Sequence, residues 1–323
     1  MTDNRRARRS APRSGCASGS VIALDVGGTH IKGAVVAGSR IVDADEWRTD
    51  PGRGADAVID TVMQCAGELH ARALRHGQEP KAAGIVVPGL VDEGEGMALL
   101  APNLGWSEIP VRLWFTEHLD LPVAFGHDVR AGGIAESRLG AGRGCSDFAF
   151  VPVGTGIAAA LFIDGRPHTG AHGFAGELGH LIVRPGGEPC GCGNRGCLEA
   201  IASASAIARR YSEITGHTGL SAKDVRLRAG SGDRTAGRVW NDAIEALADG
   251  LAGLTALLDL ERVIIGGGLA RAGDSYLSPL RSALADRLAF RRPPKLVPAR
   301  LGHRAGCLGA ALLAQDLLDQ GTG

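Results

Sequence analysis

Three cysteines and a histidine, His180, Cys190, Cys192 and Cys197, fall within eighteen residues. Glycines separate the thiols in Cys190-Gly-Cys192-Gly-Asn-Arg-Gly-Cys197. Thiolates and an imidazole in this number form a tetrahedral zinc set, and four protein ligands make such a site structural rather than a source of hydroxide. A disulfide or buried thiols are the competing readings. Cys190 and Cys192 are too close in sequence for easy bridging, and a third thiol would be left over. Glu177 and Glu199 flank the cluster, and a structural zinc needs neither. Glu177 reads as a solvated loop carboxylate or as an acceptor for substrate hydroxyls. Glu199 reads as a favourable charge in the first turn of a helix or as a second acceptor. Their closeness to one rigid knuckle favours acceptors for a small polar substrate.

Three glycine turns each follow an apolar run. The first is Asp25-Val-Gly27-Gly28-Thr29, with Lys32 just beyond; the others are Gly154-Thr155-Gly156 and Gly266-Gly267-Gly268. Glycines let backbone N–H groups approach phosphate oxygens, and an acidic residue at a strand end can hold magnesium. An ordinary hairpin turn explains Asp25–Thr29 equally well. None of the three fits a Walker or dinucleotide pattern; together they point to a nucleotide cleft. Asp128 follows an apolar strand and opens a helix. It is either an N-cap or a general base for a hydroxyl proton, and both roles are compatible. Asn103, in Pro-Asn-Leu-Gly-Trp, is a turn residue or a bidentate hydroxyl binder.

The elements that must position these residues follow from periodicity. Residues 20–26 and 31–36 predict a hairpin, with a third strand at 40–47. Helical spacing covers 55–76, 111–118, 128–139, 236–258, 275–288 and 306–318. Buried strands are predicted at 83–87, 122–125, 148–153, 157–163 and 262–265. Residues 167–197 read as a long glycine-rich loop, a length usually reserved for function. Strand–glycine–strand units recur in each half, so the expectation is an α/β chain of two duplicated domains facing a shared cleft.

Composition narrows the function classes. The chain has 323 residues, with Lys+Arg and Asp+Glu at 35 each, so no net field draws it to nucleic acid or membrane. The charge is nevertheless uneven. Arg5, Arg6, Arg8, Arg9 and Arg13 crowd the first residues against Asp3 alone. This basic arm, residues 1–19, is expected to be disordered. No apolar segment follows it to make a signal peptide, and no run approaches a membrane span. Seven cysteines, four of them scattered, fit a reducing, cytoplasmic setting.

Taken in order, Asp25–Lys32, Asn103–Trp106, Asp128, Gly154–Gly156, Gly176–His180, Cys190–Glu199 and Gly266–Gly268 resemble the ROK family of repressors, uncharacterised reading frames and sugar kinases. The resemblance spans about residues 20–318, and its CxCGxxGCxE element is the most specific part. It implies the actin-like ATPase (ribonuclease H-like) fold, with two α/β domains around a central cleft. The first domain would span 20–127 and regain helix 303–320. The larger, 128–302, would carry the zinc loop and a dimerisation surface. ATP, Mg2+ and a structural Zn2+ are implied, as is a homodimer or a dimer of dimers. Asp128 would be the catalytic base. Asn103, Glu177, His180 and Glu199 would line the sugar pocket, with His180 also on the zinc. Gly27, Gly28, Thr29, Gly154, Thr155, Gly156, Gly266 and Gly267 would hold the nucleotide, beside Asp25 and Lys32.

One departure stands out. Family kinases commonly carry Asn-Asp where this chain has His127-Asp128, and that Asn contacts sugar, so His127 bears on sugar choice. The expected activity is ATP-dependent phosphorylation of a hexose, glucose first, with N-acetylmannosamine or another amino sugar as alternative. A sugar-sensing repressor is the competing class, but about nineteen residues before Val21 are too few for a helix-turn-helix domain. A catalytically dead sugar-binding protein is a third class, opposed by the intact Asp25, Asp128 and glycine turns.

Overall fold

A computed structural model describes residues 19–321. Apart from Gly19, the basic arm assigned to residues 1–19 lies outside them. Strand β1 (Ser20–Val26) is buried on both faces, as its unbroken apolar run requires. Ile22 and Leu24 face one core, while Val21 and Ala23 face another. Strands β2 (His30–Ala37) and β3 (Arg40–Arg48) continue as an antiparallel meander. Helix α1 (Ala55–Arg75) covers one face with Val58, Val62, Ala66 and Leu69, the stripe that the periodicity predicts. Strand β4 (Pro80–Val87) then pairs parallel to β1.

A small meander follows that the sequence pattern does not signal: β5 (Leu90–Asp92), β6 (Met97–Ala101) and β7 (Trp106–Ile109). Helix α2 (Val111–Leu119) leads to β8 (Val123–His127), which pairs parallel to β4. The first sheet thus has the order β3-β2-β1-β4-β8. The parallel β1, β4 and β8 bring their carboxyl ends to one edge.

Helix α3 (Asp128–Leu139) leaves that edge. A second sheet then repeats the first: β9 (Phe148–Pro152), β10 (Ala160–Ile163) and β11 (Arg166–His168) form an antiparallel meander. Helices α4 (Leu198–Ala202), α5 (Ala204–Thr215), α6 (Ala222–Gly230) and α7 (Arg234–Leu258) intervene. Strand β12 (Arg262–Gly266) pairs parallel to β9. The short helix α8 (Gly267–Ala270), helix α9 (Asp274–Arg287) and parallel strand β13 (Lys295–Pro298) follow. The order β11-β10-β9-β12-β13 has the same connectivity and the same strand directions as the first sheet. Duplication is therefore present in topology as well as in the glycine turns.

Helix α10 (Ala305–Gln320) closes the chain against β1, β4, β8 and α3. Its buried face is Ala310, Ala311 and Ala314 with Gly309. Small residues are needed because the backbones nearly touch. Gly84 has no room for a Cβ against the Ala310 carbonyl, nor Gly309 against that of Ala131. Helix α3 packs on α10 on one side and on β9 and β10 on the other, where Phe148 and Phe162 stack at 4.3 Å.

Two expectations shift. The strand predicted over 157–163 begins at Ala160. Upstream donors are committed elsewhere: Ile157 N–H to Glu199 at 2.8 Å and Ala159 N–H to the Gly176 carbonyl at 2.7 Å. The last glycine turn opens into α8 instead of closing on itself.

Candidate active site

The carboxyl edge of the first sheet gathers the acidic residues. Asp25, near the end of β1, lies opposite Lys32 of β2, with Lys32 Nζ 3.7 Å from its Oδ2. Burial pushes the Asp25 carboxyl up to about 6; Lys32 opposes the shift and the nearby Asp128 charge adds to it. Gly306 of α10 presses so closely on this carboxylate that a Cβ there would lie 2.5 Å from Oδ2. The Gly27–Thr29 turn is closed by Gly27 N–H donating to the His30 carbonyl at 2.9 Å and by Thr49 Oγ1–H donating to the Gly27 carbonyl at 2.6 Å. Asn103 packs on Gly28, where a Cβ would come 3.0 Å from the Asn103 Cβ.

Asp128 opens α3, but it is not the cap. His127 Nδ1 accepts from the N–H groups of Val129 at 3.2 Å and Arg130 at 3.4 Å. Burial and the Arg130 charge hold His127 down to about 4, so the ring is neutral with its Nδ1 lone pair on the helix. The carboxylate of Asp128 is thereby freed from capping, although its Oδ1 still accepts from Val129 N–H at 2.6 Å. Burial raises Asp128 to about 6, against the Val129 N–H, Arg130 and Lys32, while a quarter of the side chain stays exposed.

The neighbouring wall comes from the second half of the chain. The charge of Glu177 is felt at His127, and its Oε2 lies 3.8 Å from His180 Nε2. The other nitrogen of that ring, Nδ1, is 3.6 Å from Cys190 Sγ. Cys192 Sγ and Cys197 Sγ are 3.7 Å apart, and the four donor atoms all lie within 4.8 Å of one another. Zinc–sulfur bonds of ~2.3 Å in tetrahedral geometry place sulfurs about 3.8 Å apart, so this set fits a zinc ion and no disulfide links its thiols. Asn194 N–H draws the Cys192 thiol down to about 7, whereas burial pushes Cys197 up to about 12. Glu199 sits in the first turn of α4. Its Oε2 holds Ile157 N–H and fills the space beside Gly156, and its Cβ would lie 3.2 Å from a Cβ on Gly179, next to His180.

The remaining glycines line the equivalent edge of the second sheet. Val153 N–H donates to the Gly266 carbonyl at 3.1 Å, and Gly267, at φ 77°, has no room for a Cβ against Val153. The Thr155 carbonyl accepts from Ser205 Oγ–H at 2.5 Å. The predicted residues therefore form a chain of neighbours from Asn103 and Gly28 through Asp25, Asp128, His127, Glu177 and His180 to the cysteines. Glu199 joins this chain to Gly154–Gly156. Thr29 is exposed and serves its turn through its carbonyl, which accepts from Thr49 N–H at 3.0 Å.

Sequence reasoning missed Arg130 and Glu93, which lie directly beneath His127. Glu93 Oε1 accepts from His127 N–H at 3.1 Å and from Arg130 Nε at 3.0 Å. An arginine two residues after Asp128, directly before the small Ala131-Gly132-Gly133 stretch, was the available signal.

A family model described as the ROK family matches residues 21–317. The chain belongs to the ROK family. A glucokinase of Halalkalibacterium halodurans is 32% identical to this ROK protein over 318 residues, covering 91% of this chain and 94% of its own. An N-acetylmannosamine kinase of Haemophilus influenzae is 32% identical over 298 residues, covering 92% and 96%. A ROK family glucokinase from Streptomyces griseus, crystallised with glucose and AMPPNP, is 30% identical, with a TM-score of 0.81 over 92% of this chain and 100% of that one. The fold is the actin-like ATPase fold of these kinases.

Proposed function

We propose that this ATP-dependent sugar kinase phosphorylates a hexose hydroxyl, most effectively that of glucose to give glucose 6-phosphate, with Asp128 as general base. The observation that carries the reading is Asp128 itself. Its carboxylate stands at a helix start in the cleft, released from capping by His127 and a quarter open to solvent. The sugar hydroxyl donates its proton to Asp128 as its oxygen bonds to the γ-phosphorus and the bond to ADP breaks. Asn103, Glu177, His180 and Glu199 accept or donate to the other hydroxyls, and His127 shapes the wall beside them. The glycine turns at Gly27–Gly28, Gly154–Gly156 and Gly266–Gly267, with Thr29, Thr155 and Lys32, hold the nucleotide.

Asp25, a buried carboxylate only partly balanced by Lys32 at 3.7 Å, suits a magnesium ion, which supplies charge neutralisation on the phosphates when bound. His180, Cys190, Cys192 and Cys197 would hold a structural zinc, which would fix the His180 ring with its Nε2 towards Glu177. The two sheets have separate cores, which supports dividing the chain into 20–127 with 303–320 and 128–302. Leu257 and Phe290 are 84% and 86% exposed, and Arg291 beside Phe290 reaches the Ala256 carbonyl at 2.9 Å. That apolar pair suits a homodimer contact. Among the described residues no helix is long and apolar enough to cross a membrane, and a cytoplasmic setting is part of the proposal.

The test is ADP release with glucose, mannose, fructose, allose, N-acetylglucosamine and N-acetylmannosamine. Glucose should give the highest kcat/KM. A higher value with N-acetylmannosamine would favour the amino-sugar reading, and release with none of the six would remove the hexose assignment.

A further inference from the structure

We infer that Arg130 is a positioning residue for the sugar. Its buried guanidinium pins the loop of residues 169–176 over the His127–Asp128 corner, so that the loop walls the cleft between His127 and Glu177. The catalytic readout of this inference rests on the kinase reading above, whereas the contact does not.

Arg130 is 6% exposed. A guanidinium that deep must be paired and hydrogen-bonded. Its Nε donates to Glu93 Oε1 at 3.0 Å, and its Nη1 donates to the Gly173 carbonyl at 2.8 Å. Glu93 Oε1 also accepts from His127 N–H at 3.1 Å. One carboxylate oxygen therefore holds both the strand end that presents His127 and the arginine that holds the loop. Three segments far apart in sequence meet at this planar fork.

The loop has little else to hold its tip. Gly170, Gly173 and Gly176 have φ of 77°, 77° and 104°, values that glycine adopts freely and other residues resist. Its base is closed by Ala175 N–H donating to the Thr169 carbonyl at 2.9 Å, and Gly176 is fixed by Ala159 N–H at 2.7 Å. Among the described residues, the bond from Arg130 is the one hydrogen bond joining residues 170–174 to another segment. The tip lies next to β5, where a Cβ on Gly173 would sit 3.6 Å from the Val91 carbonyl. The loop thus reaches from the second sheet's side of the cleft to the first, and Glu177 follows one residue after its fixed end.

Two substitutions attack the contact from opposite sides. Arg130→Lys keeps a charge for Glu93, but a single ammonium cannot span to Gly173 as the fork does. Gly173→Ala leaves Arg130 intact and disfavours the left-handed backbone that aims the carbonyl. Hydrogen exchange at residues 170–175 should quicken about tenfold in each, the usual scale for one charge-assisted bond, while amides of α7 stay protected. KM for glucose should rise about tenfold, with kcat changed less than about threefold. The double variant should be little worse than either single one, because one bond is lost in all three. Unchanged loop exchange, or faster exchange with unchanged KM, overturns the inference. Should Arg130→Lys fail to fold, Gly173→Ala decides alone. If the wild-type chain phosphorylates no sugar, the kinase reading fails. Loop exchange and calorimetric glucose binding in the two variants then decide the positioning role.

Discussion

Replacing Asp128 by Asn separates catalysis from stability, and the structure sets the sign of both. His127 Nδ1 caps α3, so the substituted asparagine inherits no capping duty, and its amide oxygen can still accept from Val129 N–H. The loss is the proton acceptor, for which a positioned base contributes ~10²–10⁴ in rate. Turnover should fall about a hundredfold or more, with sugar affinity by calorimetry changing much less. Stability should move the other way. Burial raises the folded Asp128 from 3.8 to about 6, a displacement corresponding to about 3 kcal/mol. Since the folded value lies above the unfolded one, the folded state binds the proton more tightly. Folding is therefore favoured below about pH 4, and that advantage is lost as pH rises through about 6. At pH 7 the wild-type protein carries the cost of a buried charge. The quarter-open side chain lets solvent offset part of it, leaving about 1–2 kcal/mol. Asp128→Asn should accordingly be more stable than wild type at pH 7, by roughly that amount, and the gain should vanish near pH 4. Urea unfolding at both pH values, beside steady-state kinetics, checks both halves. A folded variant with near wild-type turnover refutes the base. One that is less stable at pH 7 refutes the electrostatic account.

Three further outcomes are expected. With ATP and magnesium saturating, kcat/KM for glucose should fall as pH drops through about 6, because Asp128 takes up a proton there; a flat profile from pH 5 to 8 would contradict this. Protein purified without added metal should contain about one zinc per chain by elemental analysis, and Cys192→Ser should lose it; full activity in a zinc-free wild-type preparation would remove the structural role. His127→Asn should keep the helix cap, so its melting temperature should shift by only a few degrees. It should change the ratio of kcat/KM values between sugars, and identical ratios across the panel would place His127 outside the pocket.

Much of this architecture is legible in the sequence where the signal is local and repetitive. The α1 stripe of Val58, Val62, Ala66 and Leu69 and the long apolar face of α7 carry their own periodicity. The metal donors are legible because glycines crowd them into one short segment. Helices α4 to α6 are not. They are short and rich in Ala, Ser and Arg, and they depend on caps such as Ser203 and the Ser221–Asp224 box and on packing against α7. The β5–β7 meander is hidden for a similar reason, since strands of three to five residues between turns show no usable alternation. Arg130 and Glu93 are illegible because the tie between them is tertiary, across 37 positions. The His127 cap is masked by Asp128, a far commoner capping residue in the adjacent position.

Helix α10 has a consequence for how the enzyme comes into being. Chains are made from the amino end, and early segments begin to fold while later ones are still emerging. Val21, Ala23, Ala82 and Val86 find their cover in Ala310, Ala311 and Ala314 of α10 together with Ala131 of α3, and α10 is made after the whole second sheet. The buried setting of Asp25 also waits for Gly306 to arrive. A nascent chain therefore holds one face of its first sheet only partly covered until α10 has emerged. A chain stopped before α10 would leave that apolar face open and the Asp25 carboxylate without its neighbour Gly306.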